Sequence, residues 1–260
     1  MKVQELPVLF MSHGSPMNII EKNSFTHSLS ELGKTLAKPE AIMVISAHWL
    51  TKGTKVTCLP NPRTIYDFYG FPEELYKIDY PCPGAPQQAE KVVKTLGSDK
   101  VSCDFEWGID HAAWSVLKYL YPQADIPVFE MSLDVLKSPQ EHYDLAQELA
   151  PLRKEGILVV ASGNPVHNLR RAKFDHTYAE PYPWAIEADQ QMKGLLQQGD
   201  HASLIQYEGL SHASLTIPTT EHYLPMLYAV ALQKAGEELA FTCEDIQNGS
   251  VSMRSFVIGG

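Results

Sequence analysis

Ile157-Leu158-Val159-Val160-Ala161-Ser162-Gly163-Asn164-Pro165-Val166-His167-Asn168 is the stretch on which the fold turns. Its first six residues are the most apolar run of the chain. A strand that reads as a continuous apolar run is covered on both faces, as in α/β proteins with helices on each side of the sheet. The run ends at Gly163 and Pro165, and a histidine follows. The same order of apolar strand, turn and histidine occurs twice more. Pro7–Met11 leads into Ser12-His13-Gly14-Ser15-Pro16, and Ala41–Ser46 leads into Ala47-His48-Trp49. In open α/β sheets ligands bind beyond the carboxyl ends of the strands. If the three strands are parallel neighbours, His13, His48 and His167 converge on one rim.

The remaining pattern alternates helices with strands. Ser24 is expected to cap a helix carrying Phe25, Leu29, Leu32 and Leu36 on one face. Further helices are expected over Ala89, Val92, Val93 and Leu96, from Ala112 to Leu120, over Tyr143, Leu145, Leu149 and Leu152, over Ile186, Met192 and Leu195, and from Tyr223 to Gln233. Pro225 suits only a first turn. Ile126–Met131 and Ser252–Ile258 read as strands. Pro60–Pro86 has no period and many Pro, Gly and aromatic residues, which marks a long ordered loop of the kind that carries function. The expectation is an α/β fold, a single domain over residues 1–260 with a mixed central sheet flanked by helices.

Composition narrows the function. With 21 Lys and Arg against 31 Asp and Glu, the net charge is −10. Phosphate recognition needs a basic footprint, so a general nucleic-acid binder and a binder of anionic membranes are both disfavoured. No apolar run approaches a bilayer span, and Met1–Pro7 lacks a signal layout. Cys58, Cys82, Cys103 and Cys243 form no CxxC pair and read as scattered thiols of a cytoplasmic protein. GxGxxG, the P-loop and GxSxG are absent.

The ten histidines remain to be placed. His222, beside Glu221, and His111 each stand where a helix begins, a setting that favours a neutral imidazole. Of the adjacent pair Glu221-His222, one can bind a metal while the other orients a ligand. Three imidazoles, with or without a carboxylate, suit Fe(II) or Zn(II). His27, His142, His176 and His201 read as surface or packing residues, and His212 stays undecided. The cluster Tyr66-Asp67-Phe68-Tyr69-Gly70-Phe71-Pro72 reads as packing that can also wall an aromatic pocket.

Seven segments in order carry a resemblance. They are Met11–Pro16, Ser46–Trp49, Tyr66–Pro72, Gly108–Trp114, Ser162–Asn168, Thr220–Pro225 and Gly249–Phe256. Together the chain resembles the class III extradiol ring-cleavage dioxygenases of the LigB type, in the 4,5-DOPA extradiol dioxygenase branch. The resemblance implies cleavage of a small, DOPA-like catechol by O₂ to a muconic semialdehyde. It implies one non-haem metal, Fe(II) for catalysis, with Zn(II) as an ion that can be bound instead. Carried onto this chain, His13, His48 and His222 are metal ligands, with Glu221 as the alternative third. His167 is acid/base and a metal contact, and His111 is a pocket histidine touching substrate. Two rival readings stand beside this one, a zinc-dependent hydrolase on the same scaffold and a non-catalytic binding protein like Memo.

Overall fold

The structure, a computed structural model, describes residues 5–260. Ten strands run along the chain: β1 (Val8–Ser12), β2 (Ala41–Thr51), β3 (Thr54–Thr57), β4 (Val101–Asp104), β5 (Val128–Asp134), β6 (Ile157–Gly163), β7 (Leu239–Cys243), β8 (Ile246–Gln247), β9 (Val251–Ser252) and β10 (Ser255–Ile258). Eight helices join them: α1 (Ser24–Thr35), α2 (Pro86–Leu96), α3 (His111–Leu120), α4 (Pro139–Gln147), α5 (Pro183–Gln198), α6 (His201–Ile205), α7 (Ala213–Thr216) and α8 (Leu224–Ala231). The main sheet has eight strands in the order β4-β3-β5-β2-β6-β1-β10-β7, and β8 and β9 pair separately. The four central strands β5-β2-β6-β1 are parallel, while β10 and β7 close one edge antiparallel. This is the mixed, helix-flanked sheet the alternation implies.

The run 157–163 is buried at every position because it is the third strand of that central four. Its alternate residues feed two cores. Ile157, Val159 and Ala161 join the layer built by α2, α4, α5 and α8. Leu158 and Val160 join the layer built by α1 and α3. Burying apolar area on both faces is the main force holding the strand in place. Register then aligns the carboxyl ends: Ser12 lies beside Gly163, and Ser46 beside Ser162.

Several local expectations need correction. Asn23, not Ser24, caps α1: its side chain accepts from the Thr26 N–H while the Thr26 hydroxyl accepts from the Asn23 N–H. That reciprocal pair satisfies two otherwise unpaired donors at once, which a lone Ser24 could not. Strand β2 does not stop at Ser46 but runs to Thr51, so His48 lies within a strand. Against β5, Ile45 faces Met131 and Leu50 faces Leu133, so β2 bulges in between. The helix expected through Leu152 ends at Gln147, and a 3₁₀ turn takes over at Ala150–Lys154, where Pro151 cannot continue an α-helical ladder. The expected strand 252–258 is broken at Met253-Arg254 into β9 and β10. Arg254 turns inward there to the Asp189 carboxylate. The short strands β3, β4 and β7, toward the two ends of the sheet, give no clear periodic signal.

The reading of four free thiols also fails. Cys58 and Cys103 form a disulfide with Cα atoms 5.5 Å apart. Parallel pairing of β3 with β4 puts Val56 beside Cys103, so Cys58 follows within bridging reach. A separation of 45 residues carries no sequence signature. Cys82 and Cys243 remain free and buried. No helix of the described residues is long and apolar enough to cross a membrane.

The loop 60–86 is irregular apart from a 3₁₀ turn at Leu75–Lys77. It is tied down by backbone bonds: Ile65 to Ile109, Gly84 to Pro60, and Val128 to Pro83. Tyr66, Phe68, Phe71 and Tyr76 pack edge to face or tilted along it and against Trp114.

His142 on α4 is fully buried, with Nδ1 2.9 Å from the Tyr228 hydroxyl, and burial pushes its pKa down to about 4. Its unfolded value is 6.5, so the unfolded chain takes up the proton first as pH falls. This residue's contribution is thus complete above pH 6.5 and is lost between there and about 4, at up to about 1.4 kcal/mol per pH unit. Denaturant titrations of the wild type and His142→Gln should show a shallower acid-side slope in the variant; equal slopes would count against this.

Candidate metal centre

The aligned ends of β1, β6 and β2 bring the expected rim together. His13 follows the last residue of β1, and His48 rides the bulged end of β2. His222 immediately precedes the Tyr223 cap of α8. Its backbone carbonyl lies against β6, where it accepts the Asn164 N–H at 2.7 Å. A Cβ at position 163 would stand 2.2 Å from that carbonyl, so only glycine lets the His222 segment approach.

Three ring nitrogens meet at the centre. His13 Nε2 and His222 Nε2 each lie 3.2 Å from His48 Nε2. The partners of the opposite nitrogens decide what these atoms carry. His48 Nδ1 is 2.8 Å from Asp67 Oδ2, and His222 Nδ1 is 3.1 Å from Glu221 Oε1. His13 Nδ1 is 3.1 Å from the Ser162 hydroxyl, whose own proton goes to the Ala112 carbonyl at 2.6 Å. Each partner is therefore an acceptor, and each ring keeps its proton on Nδ1. All three Nε2 lone pairs then point at one another inside the protein. A metal ion would accept all three lone pairs at once, and Nδ1–H held by an oxygen is the usual state of a metal-binding histidine. The residues fit a single divalent ion.

The electrostatics agree. Burial, then the neighbouring imidazoles, holds His13 and His222 well below the ordinary histidine range, so both are neutral at neutral pH, the form a metal ligand needs. Burial pulls His48 the same way, but Asp67, Asp110 and Glu221 outweigh it and raise its basicity. Asp67 also serves His111. Its Oδ1 accepts the His111 N–H at 2.9 Å and lies 2.9 Å from His111 Nδ1. Despite burial, the two imidazoles hold the Asp67 carboxyl far below the usual range.

The five histidines at positions 13, 48, 111, 167 and 222 are all here. The ring of His167 stacks on that of His222, with centroids 3.6 Å apart and planes 12° apart. His111 stands edge-on to His48 with centroids 4.1 Å apart. Burial, then His48, lowers its basicity, so the lowering expected for a histidine at a helix start has desolvation as its main cause. Glu221 touches the Nδ1 side of His222 and accepts the Thr219 hydroxyl proton at 2.7 Å, behind the ring rather than at its metal-facing edge. His48, Asp67 and His111 form one adjoining group of donor atoms, and His167, Glu221 and His222 another. Away from the centre, His142 pairs with Tyr228, His201 with Tyr143, and His212 with Glu187. Phe68 stands edge-on to His111 at 5.4 Å, so the aromatic loop reaches the site.

Sequence reasoning missed Asp67, Ser162 and Asp110. Asp67 has one signal in hindsight: a carboxylate set inside an otherwise aromatic stretch. Ser162 is an ordinary strand serine until its partner is known.

A family model described as the catalytic LigB subunit of aromatic ring-opening dioxygenase matches residues 7–246. The chain is 45% identical over 263 residues to a 4,5-DOPA dioxygenase extradiol of Escherichia coli (strain K12), covering 100% of this chain and 97% of that protein. A 4,5-DOPA dioxygenase extradiol of Beta vulgaris is 36% identical over 235 residues, 88% of this chain and 86% of that one. A crystal structure of the uncharacterized protein JW3007 from Escherichia coli K12 superposes with a TM-score of 0.85 at 42% identity, covering 98% of this chain and 100% of that one.

Removing the Asp67 carboxylate should loosen the centre without touching a ring nitrogen that faces it. Asp67→Asn is expected to lower divalent-metal affinity about 10–100-fold. A chelator-competition titration at neutral pH reads this directly, and unchanged affinity would show that His48 is oriented by other means.

Proposed function

Because the chain belongs to the LigB family of aromatic ring-opening dioxygenases, and so is an extradiol ring-cleaving oxidoreductase, we propose that it opens a small, DOPA-like catechol beside its two hydroxyls, giving a muconic semialdehyde. The observation that carries this reading is the convergence of three Nε2 lone pairs from His13, His48 and His222. We assign those three as the metal ligands and Glu221 as the carboxylate that orients His222. Fe(II) held by those residues would supply Lewis acidity toward a catechol and redox chemistry toward O₂. Zn(II) suits the same nitrogens but lacks the redox step. The centre favours this reading over a zinc hydrolase or a Memo-like binding protein.

The chain's own groups do the proton work. His167 is held neutral by burial, then by His222, so it starts as a base. Beside the centre it takes a catechol proton and returns it when the ring opens. His111 is fixed by Asp67 and faces the same space, where it contacts a substrate oxygen. Phe68 and its aromatic neighbours form a wall that orients the ring and excludes water. One catalytic domain comprises the whole sheet and both helix layers, since the ligands run from residue 13 to residue 222. We place it in the cytoplasm on composition; the Cys58–Cys103 bridge argues for an oxidising compartment, and cell fractionation decides between them.

Protein reconstituted anaerobically with Fe(II), then given a catechol panel and O₂, should consume one O₂ per catechol and form a yellow product. His167→Ala should lose about 10²–10⁴-fold in kcat while retaining iron. No product from any catechol, or full activity in the variant, would overturn the assignment.

A further inference from the structure

Behind the three-histidine centre lies a carboxylate that the reaction does not use. Glu130 on β5 has no exposed surface. Its Oε1 accepts the Asp110 N–H at 2.7 Å, and its Oε2 accepts the indole N–H of Trp107 at 3.0 Å. Its own N–H donates to the Thr57 hydroxyl at 2.8 Å. Two arms leave this carboxylate, and both end at His48. Through the first, Asp110 caps α3, its Oδ1 accepting from the Ala113 N–H, and its Oδ2 accepts the Ser46 hydroxyl proton at 2.6 Å. The Ser46 oxygen in turn accepts the His48 N–H at 3.1 Å. Through the second, Trp107 stacks on Trp49, the residue after His48, with ring centroids 5.6 Å apart and planes parallel. The first arm also sets His111, the residue after Asp110.

We propose that Glu130 is a positioning residue for the centre, fixing the bulged backbone around His48 and the first turn of α3 so that His48 Nε2 and the His111 ring face the site. Burial, then Asp110, pushes its carboxyl well above the usual range. A buried acid with so little to gain from ionising is held for its acceptor geometry rather than for its charge. The bulge in β2 supplies the reason such a device is needed. Between Ile45 and Leu50 the strand leaves its register with β5, so sheet hydrogen bonds do not fix His48. Glu130 replaces them from beneath.

The proposal rests on the metal reading above and is tested apart from turnover. Glu130→Gln keeps the volume but turns an NH₂ toward one of the two N–H donors, so one arm must let go. Co(II) serves as the probe. The variant should bind Co(II) at least tenfold more weakly, with shifted visible absorption bands, and in the Fe(II) form kcat should fall more than KM rises. A lowered Tm with unchanged Co(II) affinity and spectrum would mean that Glu130 is only a core residue, and would sink the proposal. Should Glu130→Gln fail to fold, Trp107→Phe removes the indole N–H while keeping an aromatic, though smaller, ring against Trp49. Weaker Co(II) binding in that variant supports the proposal, and wild-type binding overturns it. A wild type that opens no catechol would count against the proposed reaction alone, because the Co(II) measurements still read Glu130.

Discussion

Three imidazole lone pairs aimed at one another in a buried space repel, and the fold around them is arranged to hold that repulsion until an ion relieves it. Each ring is pinned from behind by an acceptor on a different element: Ser162 on β6, Asp67 on the aromatic loop, Glu221 ahead of α8. None of these contacts is worth more than a few kcal/mol alone. Their number, and the packing of β1 and β6 at full burial beside β2, set the positions. A metal bound there returns its binding energy to the fold as stability, because the unfolded chain has no such site.

The carboxylates divide into two kinds by environment. Asp67 stands between two imidazoles and is driven to the charged form. Glu130 and Asp110 lie deeper, and burial drives both the other way. The chain's net charge of −10 thus says little about its interior. Attraction of a catechol would have to come from the local field of the centre rather than from net charge.

How much of this was legible follows from where each signal lives. The run 157–163 declares a doubly covered strand because burial on both faces leaves it apolar from Ile157 to Ala161. The convergence of His13, His48 and His167 needs only strand order and register, and the α/β rule supplies the rim, whereas His222 enters from the start of α8 and was reached through the family resemblance. The bulge that lifts His48 was not legible, because β2 reads as apolar up to Ser46 and its continuation is set by pairing with β5. Nor was the Cys58–Cys103 bridge, which depends on the short strands β3 and β4 lying side by side at one end of the sheet. Ser162 and Glu130 read as ordinary strand positions, because their roles exist only across the sheet.

The order of these parts along the chain has a consequence for the cell. His13 and His48 are synthesised early, whereas His222 comes 174 residues after His48. The strand that borders β1 on its far side, β10, is later still, at Ser255–Ile258. With the proposed ligands, the ion would be captured after synthesis, by a finished scaffold that meets whatever divalent metal is at hand. Such nitrogen sites generally hold zinc more tightly than iron. On the proposed reading, with Fe(II) as the working ion, metal supply at maturation would set how much of the protein is active, and mismetallation would turn it down without altering a single residue.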